Sequence, residues 1–365
     1  MSHAAPQAAS SPHAPVRRVA VVGAGTIGAS WAAHFLAHGL DVVVSDPAPG
    51  AAEHTQHLID GAWPVLQALG TAQGDPRGWR FEPDPVKAVA GVDFVQENAP
   101  ERYEVKRKLL PLIDAVLPPE VVIASSSSGL LVTRFSEGCR FPERCVIGHP
   151  FNPPHLIPLV EVVGGKHASR AAIDRAMAFY AAIGKRPIEI KKEVTGHVAN
   201  RLQAALWREA IYLVQEGVAS VADIDAAVSE GPGLRWALMG PHMTFNLGGG
   251  QGGLAHFMAH LLPAVETWWA DLGTPVMTPE LQRTLVEGVK AEADGRTMTE
   301  LAHWRDQLLT QIITLRAATA ADAERAAADA RLEEALEETF PGSDPVSVTR
   351  QPPEADIEGD PSAER

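Results

Sequence analysis

The sequence predicts a doubly wound α/β domain followed by an all-α C-terminal domain. Three observations predict it. The apolar run Val19-Ala20-Val21-Val22 leads directly into Gly23-Ala24-Gly25-Thr26-Ile27-Gly28 and then into a helical Ala29–Leu36. The next apolar run, Val42-Val43-Val44, ends at Ser45-Asp46, 23 residues past Gly23. Strand-like and helix-like runs then alternate to about Val194, and beyond Thr195-Gly196 every run has helical spacing.

The glycine run has the spacing of a Rossmann-type dinucleotide loop. Gly23 is read as the tight turn, Gly25 as the point of close approach to a pyrophosphate, and Gly28 as the place where helix and strand pack closely. Thr26 and Ile27 open the helix, whose free N–H groups and dipole favour phosphate. A carboxylate at Asp46 accepts hydrogen bonds from the adenosine ribose and repels the extra phosphate of NADP, so the expected cofactor is NAD. The plainer alternative is a strand–turn–helix with a solvated Asp46.

Further strands are expected at Phe94–Gln96, Val121–Ala124, Val146–His149, Val160–Val163 and Arg186–Ile190. Helices are expected at Ala51–Leu69, Glu104–Val116 and Ala171–Ile183. In the second of these Val105, Leu109, Leu112 and Ile113 are expected to turn inward. Past the junction, Val198–Val214 carries Val198, Leu202, Ala205, Leu206 and Leu213 at helical spacing. Ala222–Val228, Gly253–Leu262, Pro279–Ala293 and Leu301–Ala318 follow. The expected organisation is a disordered tail over 1–15, a dinucleotide domain over 16–195, a helical substrate and dimerisation domain over 196–318, and an acidic tail over 319–365. In that tail 320–340 reads as an exposed helix and 341–365 as disordered.

The 365 residues are 45 % apolar and carry a net charge of −14. The charge is uneven: residues 321–365 hold 13 acidic and 4 basic side chains, so the acidity describes the tail rather than a cationic partner. The basic footprint of a nucleic-acid binder is absent. The two cysteines, Cys139 and Cys145, lack Cys-x-x-Cys spacing and fit a reducing, cytoplasmic compartment. The N-terminal stretch lacks the pattern of a signal peptide, and no apolar run approaches membrane-spanning length. No membrane and no metal are expected.

A doubly wound sheet binds ligands at the ends of its strands. Ser128 follows one strand, His149 ends another, and Glu161 sits inside the apolar run Leu159–Val163. A carboxylate in such a strand is costly unless paired, and a histidine is a suitable partner. The carboxylate would fix the imidazole tautomer, leaving the other nitrogen to take a proton from an alcohol as hydride passes to nicotinamide. Alone, His149 is also readable as a structural histidine, and Ser125–Ser128 as a polar turn.

Together, Gly23-x-Gly25-x-x-Gly28, Ser125–Ser128, His149-Pro150-Phe151-Asn152-Pro153, Pro158–Val162 and Gly196-His197-Val198-Ala199-Asn200-Arg201-Leu202 resemble the 3-hydroxyacyl-CoA dehydrogenase family. The resemblance covers about residues 16–318. It implies a Rossmann domain, a helical domain that makes a homodimer, and NAD-linked oxidation of a 3-hydroxy group. It implies His149 as general base, Glu161 as its partner, Ser128 and Asn200 as substrate-orienting groups, and Glu101 as a residue near the nicotinamide. The family's usual Ser-Asn-Thr-Ser-Ser becomes Ser125-Ser126-Ser127-Ser128-Gly129 here.

Within the family, the text around Glu230–Pro241 resembles the branch that acts on small free 3-hydroxy acids. Residues 47–76 contain no Lys or Arg, which weakens a CoA reading, and Lys106, Arg107 and Lys108 read as a solvated helix face. Arg235 is a candidate partner for a substrate carboxylate, with Trp236 beside it; a surface ion pair is the equal alternative for Arg235. L-carnitine is the first candidate substrate, its quaternary ammonium suiting Trp207, Trp236 or Phe245 with Glu209 or Glu230. The alternatives are L-gulonate, a 3-hydroxybutyrate-type acid, an acyl-CoA, or a non-catalytic NAD-binding structural role.

Overall fold

The computed structural model describes residues 15–339. The chain divides into two compact units, Met1–Ile313 and Thr314–Arg365. The second is helical over its described part, 314–339. Residues 1–14 of the tail expected over 1–15, and 340–365 of the tail expected over 319–365, lie outside the described residues.

The first unit opens with β1 (Arg18–Val22), α1 (Thr26–Ala37), β2 (Asp41–Ser45), α2 (Ala51–Ala68), β3 (Trp79–Phe81), α3 (Pro85–Ala88), β4 (Phe94–Glu97) and α4 (Tyr103–Asp114). It continues with β5 (Val122–Ser125), α5 (Val132–Phe135), β6 (Cys145–Pro150), β7 (Leu159–Gly164), α6 (Arg170–Ala182) and β8 (Arg186–Ile190). The strands form one sheet in the order β3-β2-β1-β4-β5-β6-β7-β8. All neighbours run parallel except β6 and β7. The segment joining those two, 151–158, is too short for a crossover helix, so the chain turns back on itself. The fold is the Rossmann-type sheet that the glycine loop and strand alternation predict.

Strand periodicity sorts the core onto two faces. Val19 and Val21 of β1 pack with Trp31, Phe35, Phe94, Phe179 and Tyr180. Their neighbours Ala20 and Val22 pack on the other face with Val95, Leu110, Ile113 and Ile123.

Two expectations need correction. In α4 the inward stripe is Lys106, Leu110 and Ile113, while Leu112 is exposed. A lysine at an inner position disguised the stripe. Lys106 is not part of a solvated face; its ammonium sits 2.8 Å from the buried Glu97 carboxylate, whereas Arg107 and Lys108 are exposed. The three-residue β3 also escapes sequence reading, because Trp79-Arg80-Phe81 is too short to show a period.

The helices that follow are α7 (Ala199–Gln215), α8 (Val221–Ser229), α9 (Pro232–Trp236), α10 (Pro241–Gly248), α11 (Gly253–Asp271), α12 (Pro279–Ala293) and α13 (Met298–Thr339). α11 runs on through Pro263 beyond its expected end, and one helix replaces the two expected after Leu301. Ser220 and Thr278 cap α8 and α12 by accepting from the Asp223 and Leu281 amides. The apolar stripe of α7 is largely uncovered: Leu202, Leu206 and Trp207 are exposed and Ile211 is buried.

Candidate active site

The turn from β1 to α1 is built by its glycines. Gly23 has φ +102°, and a Cβ there would lie 2.6 Å from the Asn98 carbonyl. A Cβ on Gly28 would meet the Gly23 carbonyl oxygen at 1.8 Å, so both positions exclude larger residues. Gly25 faces open space, and no side chain caps the first turn of α1. The free amides at that helix start, with Thr26 exposed and Ile27 half-buried, suit a pyrophosphate. Asp46, at the end of β2, accepts from the Ala24 amide at 2.8 Å and from the Ala48 amide at 2.8 Å. Its carboxylate is thus set beside the loop with a lone pair to spare on each oxygen. The chain's own groups fit a dinucleotide.

His149 and Glu161 are register partners across the antiparallel β6–β7 pair, which places their side chains on one face. His149 Nδ1 lies 2.8 Å from Glu161 Oε2, and both residues are buried. Glu161 Oε1 accepts from the Val198 and Ala199 amides at 3.0 and 2.9 Å, at the start of α7. Burial pushes the Glu161 carboxyl up, but the His149 bond and those two amides outweigh it and hold it below its ordinary value. A carboxylate only accepts, so Nδ1 carries the proton and Nε2 is left as a base.

The serine run after β5 is held tightly. Ser127 Oγ donates to Glu101 at 2.6 Å, and the amides of Ser128 and Gly129 donate to the same oxygen at 2.9 and 3.0 Å. Burial raises the Glu101 carboxyl, yet the Ser127 hydroxyl, the Lys106 charge and the Gly129 and Leu130 amides carry it below its ordinary value. Beneath, Lys106 donates to both Glu97 oxygens and to the Ala99 carbonyl. Asn200, on the first turn of α7, donates to the Ser128 carbonyl at 3.2 Å.

A cavity of about 530 Å³ opens among these groups, with Ile27, Glu101, Ser128, His149 and Asn200 in its wall. It joins the nucleotide loop to the His149–Glu161 pair. Sequence reasoning missed Asn98, Asn152 and Gln203, which also line it. Gln203 was findable, since it lies three residues after Asn200 and so on the same helix face. Arg235 and Trp236, on α9, are exposed and do not line the cavity. Trp207 lines a separate apolar groove with residues of α8 and α12. Phe245 packs at a tilt against Phe257, with ring centroids 4.8 Å apart. The aromatic groups expected around an ammonium therefore do not meet at the cavity within one chain.

Residues 18–194 match the model of the 3-hydroxyacyl-CoA dehydrogenase NAD binding domain, and 196–287 match that family's C-terminal domain. The chain is 49 % identical to an L-carnitine dehydrogenase of Streptomyces coelicolor over 82 % of its own length and 94 % of that protein's. It is 48 % identical to an L-carnitine dehydrogenase of Streptomyces griseus, over 87 % and 96 % of the two chains. Among solved structures, the 5-formyl-3-hydroxy-2-methylpyridine 4-carboxylic acid 5-dehydrogenase, an NAD+ dependent dismutase, is 32 % identical with a TM-score of 0.71, covering 82 % and 98 %. Two contiguous family domains, a Rossmann-type sheet and a glycine loop shaped for NAD lead to one assignment: the chain is an NAD-dependent dehydrogenase that belongs to the 3-hydroxyacyl-CoA dehydrogenase family.

Proposed function

We propose that this protein oxidises the 3-hydroxyl of L-carnitine to give 3-dehydrocarnitine. The observation that carries the chemistry is the buried His149–Glu161 pair at 2.8 Å, whose histidine stands in the wall of a cavity that also takes in Ile27 of the nucleotide loop. The substrate follows from the relatives, which are L-carnitine dehydrogenases at 44–49 % identity.

Bound NAD supplies the hydride acceptor. Asp46 would hold the adenosine ribose, and the amides at Gly25, Thr26 and Ile27 would hold the pyrophosphate. His149 Nε2 takes the proton of the 3-hydroxyl, and Glu161 stabilises the imidazolium that results. The Ser128 hydroxyl and the second N–H of Asn200 hydrogen-bond the reacting oxygen. Glu101 shapes this wall by gathering the serine loop. In this division of labour 16–195 holds the cofactor and 196–318 closes the site on the substrate side.

The stretch after β2 does not offer the cations that suit a CoA phosphate tail. No Lys or Arg occurs in 47–76, and Arg77 is engaged with Asp60 at 3.3 Å. A free hydroxy acid is therefore favoured over an acyl-CoA. The uncovered Leu202, Trp207, Trp268 and Trp269 favour a homodimer formed through the helical half. A part for Arg235 and Trp236 in substrate binding requires a second copy to carry them to the cavity. No described helix is long and apolar enough to cross a membrane.

NADH absorbance with L-carnitine, L-gulonate, 3-hydroxybutyrate and 3-hydroxybutyryl-CoA tests the reading. Turnover is expected with L-carnitine, and turnover of the CoA ester alone would overturn it.

A further inference from the structure

We propose that His197 is a positioning residue of this dehydrogenase, holding the peptide that precedes Ser128 so that the serine stands beside Asn200 in the cavity wall. This rests on the roles given above to Ser128 and Asn200.

His197 is 2 % exposed and has φ +50°, directly after Gly196 at φ +77°. Two successive left-handed residues turn the chain sharply where β8 has ended and α7 is about to begin. A residue other than glycine at positive φ is uncommon, and histidine is among those that tolerate it. After this turn, four consecutive residues each grip the site. His197 Nε2 lies 2.9 Å from the Ser127 carbonyl, the Val198 and Ala199 backbone amides donate to Glu161, and the Asn200 side-chain Nδ2 donates to the Ser128 carbonyl.

The Ser127–Ser128 peptide is thereby held from both sides. His197 takes its carbonyl, and Glu101 takes its N–H at 2.9 Å. With the next carbonyl on Asn200, the backbone around Ser128 is fixed, and its hydroxyl, in the cavity wall, makes only a long bond of 3.4 Å to Glu101.

The chemistry of the ring shows that its donor matters. A carbonyl only accepts, so Nε2 carries the hydrogen and Nδ1 is a bare acceptor. Nδ1 is buried with no hydrogen-bond partner among the described residues. A buried polar atom without a partner is unfavourable, and a phenyl ring would fill the space without that cost. What a phenyl ring lacks is the bond to Ser127. The His197 ring lies 5.3 Å from that of His149, and Glu161 and Glu101 are the charged groups around it. Burial outweighs the Ser127 bond and lowers the His197 imidazole from its ordinary value.

The test compares His197→Phe with His197→Gln. Both bear the same backbone cost at this φ, and glutamine alone can place a donor where Nε2 stands. His197→Phe is expected to lower kcat about tenfold or more, with the KM for NAD unchanged and the midpoint of the acid limb of kcat/KM unmoved. His197→Gln should recover most of the loss. His197→Asn accepts a left-handed backbone but is too short to reach Ser127, and serves as the second donor-deleting variant should His197→Phe misfold. Hydrogen exchange of the NAD-free protein gives a readout independent of turnover. The Ser128, Gly129 and Leu130 amides should exchange about tenfold faster without the donor and at the original rate in His197→Gln. Equal losses in all three variants, unchanged exchange, or disappearance of the acid limb would overturn the proposal. A wild-type protein inert toward L-carnitine would overturn the substrate assignment instead, leaving the exchange measurement to decide on His197.

Discussion

Glu161 binds His149 with one carboxylate oxygen and the first turn of α7 with the other. A single buried carboxylate thus orients the proposed base and fastens the helix that brings Asn200 to the cavity. Replacing it by glutamine keeps the size but turns one acceptor into a donor. Either His149 faces an NH₂ group and takes the wrong tautomer, or the Val198 and Ala199 amides lose their acceptor. Glu161→Gln is expected to lower kcat by about a hundredfold to ten-thousandfold, with the NAD dissociation constant unchanged by fluorescence titration. A loss confined to NAD affinity would contradict this role.

Asp46 ties β1 to β2 through the Ala24 and Ala48 amides. Asp46→Ala should raise the KM for NAD about tenfold or more and narrow the preference over NADP. The ratio of kcat/KM for the two cofactors measures it. An unchanged ratio would remove Asp46 from cofactor discrimination.

Lys106 and Glu97 form a fully buried ion pair beneath the serine loop. Lys106→Met leaves the Glu97 carboxylate buried without its cation, a change that costs about 3–5 kcal/mol. Urea unfolding should show a loss of this size, and the double variant with Glu97→Gln should regain part of it. A single variant as stable as wild type would mean that water reaches Glu97.

Acid stability should depend on His155. Burial first, and then the Lys185 and Arg305 charges, lower its pKa from 6.5 to about 4. The folded state therefore keeps His155 neutral where the unfolded chain binds a proton. Stability is full above about pH 6.5 and falls as the pH drops towards 4. His155→Asn, which retains an acceptor for the Ser30 hydroxyl, should flatten the urea midpoint over that window. An unchanged slope would assign acid sensitivity to other groups, such as the buried His34.

Arg235→Ala reports on assembly as well as substrate. Should a second copy bring Arg235 to the cavity, the KM for L-carnitine rises about tenfold while kcat holds. Light scattering should then show a dimer, and an unchanged KM would leave Arg235 as a surface residue.

Much of the fold was legible in the sequence because its signals are local. Gly28 must be glycine for a reason contained within one turn, the Gly23 carbonyl, whereas Gly23 is crowded by the distant Asn98 carbonyl as well as held at positive φ; the alternating residues of β1 announce two covered faces. The identity of His149 and Glu161 was legible too, since a carboxylate in an apolar strand demands a partner. Their pairing was expected as well, but the antiparallel β6–β7 register that brings them within 2.8 Å is set by contacts that no local pattern encodes. Lys106 shows the same limit: a lysine on a helix reads as solvated until Glu97, from a strand, is brought beneath it. His197 likewise gained meaning only when the turn at Gly196 aimed the start of α7 at the serine loop. The sequence by itself determined the chemistry available. Tertiary structure decided which groups share a cavity, because strand register and buried charge pairing are set by contacts between segments distant along the chain.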